Sequence, residues 1–322
     1  MMMYQVSEEY ASFIGEWNSE RNTIDAYTSG STGDPKKIQL LKSDMRRSAH
    51  ATNTRFNITS DSVILSPLSC NYIAGKMMAV RAIEAGCTLI TESPSSTPMK
   101  ELPIECDSID LMCVVPSQVE SLLNNQLAHK TLKNLIIGGG PLSTKVEEKL
   151  QYMPWKSYIT YGMTETCSHI ALRESGSESY RAMPGVTFST DTRGCLIIQA
   201  QEFSFKSLIT NDAVVLKDKK SFRWLGRVDN VINSGGVKFH PEILERALYG
   251  DIKHPFYIHS IPHGKWGEVV AITIEDSSDT ITADEIMRIC RQKLPKYAVP
   301  CEIRIVSRIE RTASGKIIRK SS

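Results

Sequence analysis

Residues 27–37 read Tyr-Thr-Ser-Gly-Ser-Thr-Gly-Asp-Pro-Lys-Lys and hold the densest chemistry in the chain. Gly30 and Gly33 let a backbone approach a ligand closely and adopt positive φ. The hydroxyls of Thr28, Ser29, Ser31 and Thr32, with the amides between them, suit phosphate oxygens. Lys36 adds a cation for a polyphosphate. The spacing is not the Gly-x-x-x-x-Gly-Lys-Ser/Thr of a P-loop, because Gly30 and Gly33 stand three apart and Lys36 follows Pro35. A plain Ser/Gly surface turn has the same composition. A second string, Tyr161-Gly162-Met163-Thr164-Glu165-Thr166, offers an aromatic face for a purine and a carboxylate for a hard cation on phosphate. Alone, it also reads as a strand-end turn with a solvated glutamate.

These strings need a scaffold, and the preceding pattern supplies one. Short apolar runs at Val63–Ser66, Asp110–Val115, Leu135–Ile137 and Ser157–Tyr161 each end at a breaker: Pro67, Pro116, Gly138–Gly140 and Gly162. Helical stretches lie between them, and Thr144 with Glu147 has capping-box spacing. Alternating strands and helices predict an α/β sheet with crossovers, with ligands at the strands' carboxyl ends. Beyond Gly226 the pattern becomes compact α+β. Pro241 opens a helix through Leu248, Val269–Ile274 reads as a strand, Thr282 and Glu285 repeat the capping-box spacing, and Glu302–Val306 precedes a basic tail. The expected fold is therefore α/β: a large N-terminal domain, residues 1–228, and a small C-terminal α+β domain, residues 229–322.

Bulk properties narrow the function classes. The 322 residues carry a formal net charge of +2, too weak to argue for nucleic acid or an anionic membrane surface. No apolar run reaches the roughly 18 residues of a spanning helix, and no leader pattern is read at the N-terminus. The eight cysteines include no Cys-x-x-Cys pair, which fits reduced thiols in a cytoplasmic protein.

The string Thr28–Lys36 resembles the nucleotide-binding loop of the adenylate-forming superfamily, which holds acyl-CoA synthetases, peptide-synthetase adenylation domains and luciferases. Further strings resemble that family's motifs in order, from about residue 24 to about residue 320. The resemblance implies layered sheets and helices in the large domain, a hinged small domain, and ATP, Mg²⁺ and coenzyme A as co-substrates. It implies that Tyr161 stacks on adenine beside the Gly138, Gly139 and Gly140 turn. Thr164 would meet the α-phosphate, and Glu165 would hold Mg²⁺. Asp212 would bind the ribose, although Asn211 stands where the family usually has glycine. Arg227 would contact ribose or phosphate, and Asp229 would mark the hinge. Gly235 and Gly236 would approach the pantetheine arm, with Lys238 near the phosphates of coenzyme A. In Arg311–Lys316, Lys316 matches the lysine that enters the site during adenylation. Only 26 residues precede the glycine-rich loop, so the chain reads as a shortened member.

The acid is addressed by Ser66–Ala82, where Tyr72 replaces a common histidine and Lys76 and Arg81 interrupt an apolar helix. Such cations snorkel from a surface, or one of them binds a second carboxylate on the substrate. His169 would add a polar contact. The segment looks like that of o-succinylbenzoate–CoA ligases of menaquinone synthesis, and a homo-oligomer is compatible with it. The alternatives are an adenylating enzyme for another aryl or acyl acid, with coenzyme A or a carrier-protein thiol as acceptor, and a non-catalytic nucleotide-binding regulator.

Overall fold

The computed structural model describes residues 3–4, 7–27, 36–100, 106–278, 280–311 and 317–319. The breakers read above do end strands, because the runs before them are buried on both faces. Leu111–Val114 is buried throughout, and Asn134–Ile137 nearly so. Such near-continuous apolar runs are what a covered parallel sheet requires. With Met3–Tyr4, Thr88–Thr91, Val63–Ser66 and Lys156–Gly162 they form the parallel half of a twelve-stranded path.

The strand Lys156–Gly162 is the seam. On one edge it pairs parallel with Asn134–Ile137, on the other antiparallel with His169–Glu174. The path then continues antiparallel through Tyr180–Ala182, Ser221–Arg227, Lys206–Asp218, Cys195–Ala200 and Thr187–Thr190. Helices Lys42–Phe56 and Ile73–Ala85 pack side by side in the core next to the parallel half. They stop at Asn57 and Gly86, both in the left-handed region that closes helices. A separate antiparallel pair, Thr23–Tyr27 with Lys37–Leu41, brings Tyr27 opposite Lys37 and so brackets the glycine-rich loop.

The second sheet has five strands. Its central strand Gly267–Glu275 pairs antiparallel with Phe256–His263 and parallel with Glu302–Val306. Helices Pro241–Leu248 and Ala283–Lys293 complete a core of their own, including Ile232, Leu244, Leu248, Ile258, Ile272, Ile286 and Cys290. Pro241 and Thr282 open these helices as read, with the Thr282 hydroxyl accepting from the Glu285 amide. The cap expected at Thr144 needs correcting. Ser143 is the cap and accepts from the Val146 amide. Thr144 begins the helix and donates its hydroxyl to the Arg246 carbonyl at 3.2 Å. Glu147, instead of closing a capping box, is buried against Arg173 and Arg246. Among the described residues no helix is long and apolar enough to cross a membrane.

Candidate active site

The seam strand and the antiparallel half bring Tyr161 and Asp212 together. The Tyr161 hydroxyl donates to Asp212 Oδ2 at 2.7 Å, and Trp224 Nε1 donates to Oδ1 at 3.0 Å. Asp212 lies across from Arg227 in the ladder. Burial, and then the Asp212 carboxylate, push the Tyr161 hydroxyl well above its ordinary range, so it stays protonated and donates. A carboxylate accepts about four hydrogen bonds, so Asp212 keeps capacity for ligand hydroxyls. The Tyr161 ring packs edge-on to Phe222, with centroids 5.1 Å apart. Trp224 escapes sequence reading, because its link to Asp212 runs through strand pairing and not through a spacing.

Asn211 needs no glycine. It sits inside the strand Lys206–Asp218, and its φ is not positive. Its amide donates to both Asp229 oxygens at 3.1 and 3.3 Å, and Arg227 Nη2 reaches Oδ2 at 2.8 Å. The residue read as a hinge is therefore held by two donors from neighbouring strands.

At the strands' carboxyl ends the glycines have different reasons. A side chain at Gly138 would stand 2.5 Å from Thr160 Oγ1. Gly139 has φ +88°. At Gly162 a Cβ would lie 2.6 Å from His169 Cα and press on the Ser168 carbonyl. Thr164 is buried in a single 3₁₀ turn, and Glu165 beside it is exposed. Lys36 is exposed where the chain enters Lys37–Leu41. Thr28, Ser29, Gly30, Ser31, Thr32, Gly33 and Lys316 lie outside the described residues. In the small domain Gly235 and Gly236 form a two-residue hairpin turn with φ +60° and +82°. Both values demand glycine, so turn geometry alone accounts for the pair. Lys238 is exposed.

The two cations of the helix Ile73–Ala85 go separate ways. Lys76 lies over the Phe13 ring, 4.7 Å from its centroid, and 3.9 Å from Glu16. Tyr72 caps the helix and is half exposed. Among the described residues no hydrogen bond or ion pair joins either of them to Arg81 or His169. Arg81 is 2% exposed and has no carboxylate partner among the described residues. Its Nη2 donates to Ser168 Oγ at 2.6 Å, its Nη1 lies 3.2 Å from Met78 Sδ, and its Nε has no partner among the described residues. Burial pushes this guanidinium down to about 10.

His169 is also buried, 3.2 Å from Thr52 Oγ1 through Nε2 and 3.4 Å from Ser168 Oγ through Nδ1. The Thr52 hydroxyl already donates to the Ser48 carbonyl. Thr52 therefore accepts from His169, which assigns the proton to Nε2 and leaves Nδ1 to accept from Ser168. Burial, reinforced by Arg81, holds His169 well below its ordinary value and neutral. Asn53 completes the cluster, donating to the Arg81 carbonyl at 2.9 Å with its own Oδ1 unpartnered. Ser168, Thr52 and Asn53 carry no local sequence signal. The arrangement is a buried, electropositive spot with an open donor.

Comparison with known proteins places this geometry in context. Residues 18–196 match the family model described as AMP-binding enzyme, and residues 256–316 match AMP-binding enzyme C-terminal domain. A 2-succinylbenzoate–CoA ligase of Listeria monocytogenes is 28% identical over 329 residues, covering 94% of this chain and 70% of that protein. The solved structure of an acyl-CoA synthetase (AMP-forming)/AMP-acid ligase II-like protein from Dyadobacter fermentans is 28% identical, with a TM-score of 0.61, over 96% of this chain and 91% of its own. The O-succinylbenzoate coenzyme A synthetase of Bacillus subtilis, in complex with ATP and magnesium ion, shares the fold with a TM-score of 0.80 at 21% identity, over 92% of this chain and 68% of its own. With more than half its length on the first family model and the characteristic strings in order, the chain belongs to the AMP-binding enzyme family.

Proposed function

We propose that this chain activates o-succinylbenzoate with ATP and transfers the acyl group to coenzyme A. The observation that carries the substrate class is Arg81: a buried guanidinium with an open Nε and no counter-ion among the described residues. Leaving such a charge unpaired is costly, and a ligand carboxylate repays it. An acid with two carboxylates offers one group to be activated and one to be bound. The name of the Listeria relative supports the choice of acid, and the Bacillus subtilis complex supports ATP and magnesium.

In the first half-reaction a carboxylate oxygen attacks the α-phosphorus and pyrophosphate leaves. In the second, a thiol sulfur attacks the activated carbonyl and AMP leaves with the bridging oxygen. Positioning and charge neutralisation carry both steps. Tyr161 and the Gly138–Gly140 turn receive adenine, Asp212 and Arg227 the ribose, and Thr164 the α-phosphate. The loop from Thr28 to Lys36, with Lys316, neutralises the departing pyrophosphate. Glu165 fits a magnesium ligand, since its exposed carboxylate has no hydrogen bond or ion pair among the described residues. No cluster of three metal-ligating side chains occurs there either, which suits a cation held mainly by phosphate oxygens. Bound magnesium supplies charge neutralisation at the phosphates. Arg81 binds the second carboxylate, and Ser168, itself bonded to His169, holds the guanidinium in place. We set the domain boundary at residues 228 and 229. The small domain turns about Asp229, withdraws Lys316 and offers the Gly235–Gly236 turn and Lys238 to coenzyme A. All eight cysteines are free, which supports a cytoplasmic setting.

Acid-dependent pyrophosphate exchange over a panel of acids tests this reading. Exchange should be strongest with o-succinylbenzoate and weak with benzoate. Equal exchange with monocarboxylates would sink the substrate, and nucleotide binding without AMP release for any acid would sink the activity.

A further inference from the structure

The helix Thr144–Leu150 of the large domain meets the helix Pro241–Leu248 of the small domain, and the turn after it, through charges that the proposed chemistry does not use. Across this contact Glu147 Oε2 accepts from Arg246 Nη2 at 2.9 Å. Within its own domain the same carboxylate is gripped by Arg173, with Nη2 2.9 Å from Oε2 and Nη1 on Oε1, and it accepts from the Gly176 amide at 3.1 Å. Lys145 reaches in the other direction. Its Nζ donates to Asp251 Oδ1 at 2.7 Å and to the Gly250 carbonyl at 3.2 Å. Asp251 also keeps a cation of its own domain, since Lys293 Nζ lies 3.3 Å from Oδ2. Gly250 has φ +90°, and a Cβ there would stand 2.8 Å from Lys145 Cδ, so the lysine stem lies against the turn. One turn before Arg246 on the same helix face, Glu242 accepts from Asn230 Nδ2 at 2.5 Å. Asn230 adjoins the hinge residue Asp229.

We propose that Arg246–Glu147 and Lys145–Asp251 form a reversible latch that holds the small domain in this arrangement and sets the balance between the two half-reactions. The inference rests on the turning of the small domain about Asp229 given above, and deepens it by naming the residues that oppose the turn. Breaking a buried ion pair is normally costly because it strands a charge. Here it strands none. When the domains part, Glu147 keeps Arg173 and the Gly176 amide, and Asp251 keeps Lys293. The two cations released, Arg246 and Lys145, already have 42% and 50% of their side chains exposed, so water takes them up at little cost. Each pair of this kind biases an equilibrium by about 2- to 5-fold. The contact is thus strong enough to favour one arrangement and weak enough to open in every cycle. Through Glu242 and Asn230 the helix that bears Arg246 is also tied to the residue beside the hinge.

The test uses the full chain and takes the ratio of two rates: pyrophosphate exchange, and thioester formation from a supplied acyl-adenylate. Each rate scales with the population of the arrangement that serves it, so the ratio follows the equilibrium between arrangements. Arg246→Ala should move the ratio about 5-fold, Lys145→Ala about 2-fold in the same direction, and the double variant about 10-fold. Melting curves check that the variants fold. A merely structural role would slow both steps alike. An unmoved ratio, or opposite shifts from the two variants, would overturn the latch. Amide hydrogen exchange in residues 143–151 and 246–252 gives a second readout, independent of turnover. In the parent it should respond to ATP with o-succinylbenzoate or to AMP with coenzyme A, and without ligand it should be faster in the double variant. No response to either ligand pair in the parent would reject the domain turn itself. A response in the parent, with unchanged exchange in the variant, would reject the latch alone.

Discussion

Replacing Arg81 by methionine should make the protein more stable and a worse enzyme. Burial lowers the guanidinium well below its ordinary value, to about 10. At about 1.4 kcal/mol per pH unit, that amounts to roughly 3 kcal/mol against the charged form in the fold. The sign follows from linkage: a cation with a depressed value is penalised at every pH below that value, so the cost is fully present at neutral pH. Methionine removes the cost but gives up the 2.6 Å bond to Ser168, worth about 1.5–3 kcal/mol for a charged donor. The net gain is about 0–1.5 kcal/mol, a rise of up to a few degrees in Tm for a chain of this size. Losing the partner of a buried substrate carboxylate costs about 2–5 kcal/mol, at least about 30-fold in kcat/KM. The assay pairs a thermal scan with pyrophosphate exchange on o-succinylbenzoate and benzoate. A fall in Tm would make Arg81 a structural residue, and an equal loss for both acids would remove it from substrate binding.

Three further outcomes follow from the geometry. Trp224→Phe removes one of the two donors on Asp212 and should raise KM for ATP several-fold, by about 1 kcal/mol, without moving KM for the acid; an unchanged ATP KM would free Asp212 from ribose binding. Gly138→Ala should destabilise by about 1–3 kcal/mol, with much of the loss recovered by Thr160→Ala, because the clash is with that hydroxyl; denaturant melts of the single and double variants decide it. His169 is held neutral by burial, so the unfolded chain takes up its proton first and stability should fall as pH drops below about 6.5; His169→Gln should flatten the part of that decline due to this residue, and a parallel decline would refute the assignment.

The sheet was readable because its signals are local. Pro67, Pro116 and Gly162 follow runs that are buried on both faces, and such transitions are written in adjacent residues. Other features were decided by tertiary contact. Ser143 and Thr144 are both competent caps, and the Arg246 carbonyl claims the threonine hydroxyl. Lys76 and Arg81 are five residues apart on one helix, about 140° around its axis, so only one can face Ser168. Which one does depends on Phe13, which lies far earlier in the chain and takes up the lysine. Asp212 and Tyr161 meet across 51 residues. Family resemblance grouped them, but the hydrogen bond and its second donor Trp224 required the strand register.

The seam at Lys156–Gly162 has a consequence for divergence. The helices carrying Thr52, Asn53 and Arg81 pack beside the parallel half, and Asp212 and Trp224 belong to the antiparallel half. Ser168 and His169 touch the first set, while Asp44 and Arg47 tie the helix Lys42–Phe56 to Ser204 and Glu202 beyond the seam. On the proposed assignment, mutations around Arg81 explore new acids while the nucleotide residues stay under unbroken selection. Substrate range and phosphate chemistry become separately heritable traits of one chain.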